Sequence, residues 1–428
     1  MLHTIILNAT GIFKEELDNC RNKQKHLTLS REVAMSVSEK MREYASKSSW
    51  VRKMFEEGAR MKAKFGAENV FDFSLGNPDL PPPEEFNEVI QRIAADTTPG
   101  IHAYMPNGGY PWVRDAIAEK LTREQGVPVI GDNLIMTVGA AGAINVTMKA
   151  LLNPGDEVLL LAPYFVEYGF YVENHGGVPK VINMKEDFSL DLQAIEDAIT
   201  SKTRAIIINS PNNPTGQIYS NAELTALGEM LERVSEEVAR TIYLIADEPY
   251  RAIVYDNAEV GSVFKAWRNS IVLSSFSKDL SLPGERIGFL AVNPKIRSKE
   301  ELLNALTLAN RILGFVNAPA MMQRAVAELI DVKPDISPYV RRKKMICDVL
   351  REAGFEFTEP KGTFYVFPKT PIEDDVEFVK MLAEEKILAV PGRGFGGPGH
   401  IRIAFCVPDE TITKAAEGFK RAVKRAKA

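Results

Sequence analysis

Lys278 is the residue with the most chemistry to offer. It stands in SSFSKDLSLPGERIGF, directly after an apolar run, IVLSS, that reads as a buried strand. Burying an ammonium without a partner is costly. A desolvated lysine can instead lose its proton and act as a nucleophile towards a carbonyl. The plainer alternative is a lysine whose stem lies along the sheet while its amine reaches water. Around it, Ser275 and Ser277 offer hydroxyls, and Arg286 offers a guanidinium suited to gripping a phosphate through two parallel bonds. Asp247 ends TIYLIAD, where a carboxylate either caps the next turn or meets a positive ligand group, and Tyr250 follows three residues later. The loop SPNNPTG, residues 210–216, has turn composition, yet its paired asparagines give Asn213 an amide that could donate to a phenolate oxygen. VGAAGAIN, residues 138–145, opens a helix with small residues. These either serve close packing or let the backbone N–H groups of Ala140 and Ala141 approach a phosphate. Phe165 is either a core aromatic or a ring that stacks on a flat ligand.

Positioning these groups takes a particular kind of scaffold. Short apolar runs at 134–138, 157–161, 205–209, 241–247, 271–275 and 288–292 alternate with amphipathic helical stretches, the pattern of a mainly parallel sheet in an α/β fold. The first five runs each lead into a polar or small-residue loop, and open parallel sheets bind ligands beyond the carboxyl ends of their strands. Before this core, residues 36–65 read as one or two polar helices, and four prolines between 78 and 83 break the chain. After it, 317–319 marks a boundary. Residues 320–354 return to helix, and 362–367 with 400–405 suggest a strand pair before a final basic helix. The expected organisation is a leader (1–30), an N-terminal part of a small α+β domain (31–80), a large domain (81–317) and a C-terminal small-domain segment (318–428).

Composition narrows the partners. A net charge of −5, 45% hydrophobic and 25% charged residues describe a globular chain with no general attraction for nucleic acid or anionic lipid. The three cysteines, Cys20, Cys347 and Cys406, lack metal-ligand spacing and a disulfide framework, so no metal is expected and a reducing, cytoplasmic compartment fits. The N-terminus lacks the basic lead-in of a signal peptide, and no apolar stretch is long enough to span a bilayer.

Taken in order, SLGNPD, VGAAGA, PYFVEY, SPNNPTG, ADEPY, SFSK with GERIGF, and GHIRIAF resemble the class I/II aminotransferases of pyridoxal phosphate (PLP) fold type I. The resemblance runs from about Phe73 to Phe405. It implies a large domain with a seven-stranded-type, mainly parallel sheet and a smaller α+β domain built from both chain ends. It further implies that Lys278 carries the cofactor and moves the substrate proton, that Asp247 pairs with the pyridinium nitrogen, and that Asn213 and Tyr250 bond the ring oxygen. Phe165 would stack on the ring. Ala140, Ala141, Ser275, Ser277 and Arg286 would hold the phosphate, and Arg402 would take the substrate α-carboxylate, with Gly76 and Asn77 on its other side. Tyr104, in HAYMPNGGY, matches a tyrosine lent to the partner's phosphate, which implies a homodimer with shared active sites. Two departures stand out. Relatives often carry a longer or hydroxyl-bearing side chain at the Ala140–Ala141 position, and Tyr or Trp where Phe165 sits. The expected activity is amino transfer from an amino acid to a 2-oxo acid such as 2-oxoglutarate. A carbon–sulfur β-lyase on the same scaffold is the alternative, and a non-catalytic PLP-binding regulator ranks last because no DNA-binding segment is evident.

Overall fold

The computed structural model describes residues 37–46 and 50–428, so the expected leader, 1–30, lies outside the described residues. Contacts divide the chain into residues 1–53 and 54–428. The described part of the first unit holds the helix Glu39–Ser46 and the start of the helix Trp50–Phe65, where the Lys53 ammonium lies 4.7 Å over the Trp50 ring. Everything below belongs to the second unit.

After the short strand β1 (Phe71–Asp72) come seven strands of one sheet: β2 (Leu134–Thr137), β3 (Glu157–Ala162), β4 (Val178–Asn183), β5 (Thr203–Asn209), β6 (Tyr243–Asp247), β7 (Ser270–Ser275) and β8 (Gly288–Val292). Their spatial order is β2-β8-β7-β6-β5-β3-β4. The pairs from β7 to β4 are parallel, while β8 runs antiparallel to both β7 and β2. Apart from β4, the strands read as largely apolar runs because helices cover both faces. On β5, Ile206 and Ile208 join one core, with Leu121 and Leu227 from flanking helices, and Ala205 and Ile207 join the other, with Ile144 and Leu306. On β6 the same alternation places Leu244 and Ala246 on the first face and Tyr243 and Ile245 on the second.

Six of the seven strands match the expected runs to within two residues; β4 has no counterpart among them. It is an edge strand, paired only with β3, and Pro179 and Lys180 interrupt its apolar character. Edge strands are where proline and charge are tolerated, which removes the pattern that announces a strand.

The second region packs around Phe73, Tyr339, Phe364, Phe378 and Phe419. It contains β9 (Tyr365–Val366), β10 (Ile387–Leu388), β11 (Val390–Pro391) and β12 (Ile401–Ala404). β12 lies between β11 and β9, antiparallel to each, while β1 pairs in parallel with β10 and so brings the segment near residue 72 to the C-terminal part. The expected pairing of the segments 362–367 and 400–405 is the β9–β12 ladder. The last helix, Asp409–Ala426, buries Ile412, Ala415, Phe419, Ala422 and Val423 along one face. Asp409 and Glu410 in its first turn and Lys424 and Arg425 in its last complement the helix dipole.

Candidate active site

Six parallel strand ends, β2 to β7, meet at one edge of the sheet, and β8 begins there because it runs the other way. Its first residue, Gly288, stands between Thr137 and Ser275 in register, so Arg286, two residues earlier, overhangs that edge. The helix Gly139–Leu151 starts at the same place. No side chain caps its first turn, which leaves the backbone N–H groups of Ala140 and Ala141 available, since the opening turn of a helix has no internal acceptors for them. Gly139 has φ 69°, and a Cβ there would come 2.7 Å from Nη2 of Arg286. The approach of the arginine and the left-handed backbone both require glycine. Ser275 opens the four-residue helix Phe276–Asp279 without using its hydroxyl as a cap, and Ser277 is buried in that helix. The start of the helix Gly139–Leu151, Arg286, Ser275 and Ser277 thus lie at one edge of the sheet, an arrangement suited to a phosphate.

Asp247 ends β6 in register with Asn209 at the end of β5. One carboxylate oxygen accepts a 2.6 Å hydrogen bond from the Tyr168 hydroxyl; the other, Oδ1, is buried and has no partner. Burial raises the Asp247 pKa to about 6, against the opposing pull of the Tyr168 hydrogen bond. Such an orphaned acceptor is costly unless a donor arrives from outside the chain. Asn209 ties this edge together. Its amide donates to the Asp247 carbonyl (2.8 Å), and its Oδ1 accepts from the Asn213 N–H (2.7 Å). In the following loop, Asn212 closes the turn by accepting from the Thr215 N–H and hydroxyl, which leaves Asn213 to face Arg402.

The segment Ser74–Gly76 joins the sheet edge to the second region. Its three consecutive carbonyls accept from Nη2 of Arg402 (2.6 Å), the thiol of Cys406 (3.6 Å) and the Lys278 amine (2.9 Å). Arg402, on β12, is 3% exposed; its Nη1 donates to Asn213 Oδ1 at 3.1 Å and its Nε has no partner. The Tyr365 and Phe395 rings lie 4.6 and 4.7 Å from its guanidinium carbon, cation–π contacts that hold the plane of the group. The Lys278 amine lies 5.8 Å from the Tyr250 ring and 5.5 Å from the Phe364 ring. Burial, opposed by Cys406 and reinforced by Arg402 and Arg286, lowers its pKa to about 8. The neutral amine is therefore far more populated near neutral pH than in an ordinary lysine, which favours nucleophilic and general-base work.

Of the expected site residues, Lys278, Asp247, Asn213, Tyr250, Ser275, Ser277, Ala140, Ala141, Arg286, Gly76 and Arg402 are brought together by these contacts and strand ends. Tyr250 is buried and shares a 3.0 Å hydrogen bond with the Tyr365 hydroxyl. Phe165 packs edge-on against Tyr168, 5.6 Å between centroids, which places it on the Asp247 side of the sheet. Asn77 is exposed. Tyr104 is 91% exposed and makes no hydrogen bond or ring contact with the group. Sequence reasoning passed over Asn209, Tyr168 and Tyr365. Asn209 looked like the end of an apolar run and Tyr168 like one more aromatic of PYFVEY. Tyr365 left a mark in Gly76, where a Cβ would fall 1.7 Å from its hydroxyl. Among the described residues, no group of three or more His, Cys, Asp and Glu side chains is disposed to hold a metal, and no helix is long and apolar enough to cross a membrane.

Comparison with known proteins gives the family. Residues 68–419 match the family "Aminotransferase class I and II". A probable aspartate aminotransferase of Methanocaldococcus jannaschii is 33% identical over 354 residues, 81% of this chain and 92% of the relative. The aspartate/prephenate aminotransferase of Thermus thermophilus is 32% identical over 82% of this chain and 91% of its own length. Among solved structures, an amino transferase from Eubacterium rectale superposes with a TM-score of 0.89 at 38% identity, covering 92% of this chain and all of the other. The Thermus thermophilus aspartate aminotransferase with maleate gives 0.78 at 29% identity, over 88% of this chain and 97% of the other. The chain belongs to the class I and II aminotransferases, transaminases whose cofactor is pyridoxal 5′-phosphate.

Proposed function

We propose that this aminotransferase moves the amino group of an amino acid to a 2-oxo acid, with 2-oxoglutarate as acceptor, in two half-reactions that share one carboxylate site at Arg402. The observation that carries this reading is the juxtaposition of the Arg402 guanidinium and the Lys278 amine on carbonyls two residues apart, Ser74 and Gly76. Amino acid and oxo acid each bring an α-carboxylate and differ at the adjacent carbon, so a single arginine beside a single base serves both.

The residues fit the family's cofactor. The buried, unpartnered Oδ1 of Asp247 suits a pyridinium N–H, and Tyr168 holds the carboxylate in place through its other oxygen. Asn213 and Tyr250 would bond the ring oxygen, and Phe165, on the Asp247 side, would stack on the ring. The phosphate would sit on the N–H groups of Ala140 and Ala141, the hydroxyls of Ser275 and Ser277, and Arg286. When bound, pyridoxal phosphate supplies the electron sink that makes the substrate Cα proton removable. The chain's own groups do the rest. Lys278 would hold the cofactor at rest and, once the substrate amine has displaced its own, would take the proton from Cα as a neutral amine. Asp247 keeps the ring nitrogen charged from within a low-dielectric pocket, where that charge matters most. Arg402, whose planar fork matches a carboxylate, fixes the substrate so that its Cα–H faces the amine.

Tyr104, almost wholly exposed, supports a homodimer in which it reaches the partner's phosphate. Two free, buried cysteines, Cys347 and Cys406, fit a reducing cytoplasmic setting. The test is a panel of amino donors with 2-oxoglutarate. Equal amounts of the donor's 2-oxo acid and glutamate, with no ammonia, support transfer; steady release of ammonia and pyruvate from a cysteine thioether would replace it with β-elimination.

A further inference from the structure

Two buried carboxylates take no part in the chemistry above, yet each directly follows a residue that does. Glu248 follows Asp247, and Asp279 follows Lys278. The strand alternation explains where they go. Asp247 continues the face of Tyr243 and Ile245, so Glu248 turns to the face of Leu244 and Ala246, which is covered by the helix Pro111–Gln125. There Glu248, 3% exposed, accepts from Nε2 of Gln125 at 3.0 Å and from Nη1 of Arg251 at 2.9 Å. Asp279, 9% exposed, meets the Lys120 ammonium at 3.4 Å, while its Oδ1 has no partner. Glu124 links the two halves. It lies 3.7 Å from Lys120 and 3.9 Å from Arg251, and its own carbonyl accepts from Nη2 of Arg251 at 2.9 Å. The last turns of that helix, Lys120 to Gln125, therefore grip the chain just behind both Lys278 and Asp247.

We propose that this cluster is a positioning device for the reaction: the Lys120–Asp279 and Gln125/Arg251–Glu248 contacts anchor the short helix of Lys278 and the end of β6 to the helix Pro111–Gln125, and so fix the Lys278 amine relative to the Asp247 carboxylate. The inference rests on the roles given above to Lys278 and Asp247. Its physical motive is the weakness of the local scaffold. A four-residue helix holds its shape poorly by itself, because helix nucleation is costly and most helical stability comes from tertiary packing. Beyond Asp247 the chain leaves the sheet for a turn, with the Glu248 N–H still bonded to the Leu273 carbonyl at 2.8 Å. The cluster is also unbalanced: among the described residues, Glu124, Glu248 and Asp279 are paired with two cations, Lys120 and Arg251. Burial raises both Asp279, to about 6, and Glu248, to about 7, so the excess charge is relieved by holding a proton. A cluster built only for stability would be served as well by apolar side chains, since buried ion pairs seldom surpass them.

The test compares Glu248→Gln, Asp279→Asn and the double variant Lys120→Met/Asp279→Leu, the last because removing one partner of a buried pair is strongly destabilising while replacing both preserves packing. Three quantities are read: kcat and KM for a good donor, thermal unfolding, and the rate at which an acylating reagent labels Lys278 in cofactor-free protein as a function of pH. Positioning predicts that the double variant keeps its unfolding temperature, loses about tenfold in kcat with KM little changed, and labels Lys278 with an altered pH midpoint, since small misplacements of reacting groups are expensive. Wild-type kcat and labelling in a stably folded double variant would overturn the proposal, as would losses that merely track unfolding. Borohydride reduction of the wild-type holoenzyme separates the two levels: cofactor trapped on a lysine other than Lys278 would sink the functional reading itself.

Discussion

At the scale of single residues, the site depends on groups with one unmet valence each. Asp247 leaves Oδ1 unpaired and buried, and Arg402 leaves Nε unpaired beside two other committed nitrogens. Asp247→Asn keeps the shape and the Tyr168 contact but removes the charge. It should fold normally and slow Cα proton removal by about a hundredfold, the usual cost of losing a preorganised electrostatic partner. Deuterium exchange at Cα of the donor, measured against the wild type, checks this, and near-normal exchange would reduce Asp247 to a turn cap. Arg402→Ala should weaken amino acid and oxo acid together, by about 2 kcal/mol each for a lost charge-assisted pair, or roughly thirtyfold in KM. Weakening of only one of the two would contradict a shared carboxylate site.

At the scale of elements, the proposed phosphate subsite is assembled from the start of a helix and the start of an antiparallel strand. Gly139 lies where they touch, with φ 69° and the Arg286 guanidinium close to where a Cβ would stand. Gly139→Ala imposes a left-handed backbone on a residue with a Cβ, worth about 1–2 kcal/mol, and pushes the Arg286 guanidinium away. Stability should fall modestly, whereas affinity for pyridoxal phosphate, read by equilibrium dialysis of cofactor-free protein, should fall at least tenfold. Unchanged affinity would remove Arg286 from the subsite. The same element logic explains the hidden status of Asn209. Only the in-register pairing of β5 with β6 shows that its amide bonds the Asp247 backbone, while its Oδ1 receives the Asn213 N–H.

At the scale of the whole molecule, buried acids shape the pH dependence of stability. Burial raises Glu248 from an ordinary 4.5 to about 7, opposed by Arg251. The folded chain therefore retains a proton that the unfolded chain releases near 4.5. That contribution is complete below about 4.5 and is lost as pH rises towards 7. In cofactor-free protein, Glu248→Gln should flatten the decline in urea-unfolding free energy between pH 5 and pH 8. A decline as steep as that of the wild type would show that Glu248 is already ionised at pH 5. The proposed homodimer is checked by sedimentation of Tyr104→Ala, which should remain dimeric yet release cofactor faster than the wild type. Faster release from a monomer would place Tyr104 in its own site.

Sequence alone determined the α/β class, six strands of the large sheet, and the strand-end positions of Lys278 and Asp247. Those features are local: apolar runs announce buried strands, and in a parallel sheet the residue just past a run lies at the edge where ligands bind. The edge strand β4 escaped because solvent tolerates Pro179 and Lys180 there. Which of the paired asparagines faces Arg402 was decided by a turn that Asn212 closes, and Arg402 itself comes from a strand some 190 residues further along the chain. The second oxygen of Asp247, the rings around Arg402 and the charge cluster behind Lys278 likewise depend on contacts between residues far apart in sequence. Hydrogen bonds, ring contacts and burial are properties of neighbours in space, and residue type and local spacing carry no record of which distant neighbour folding supplies.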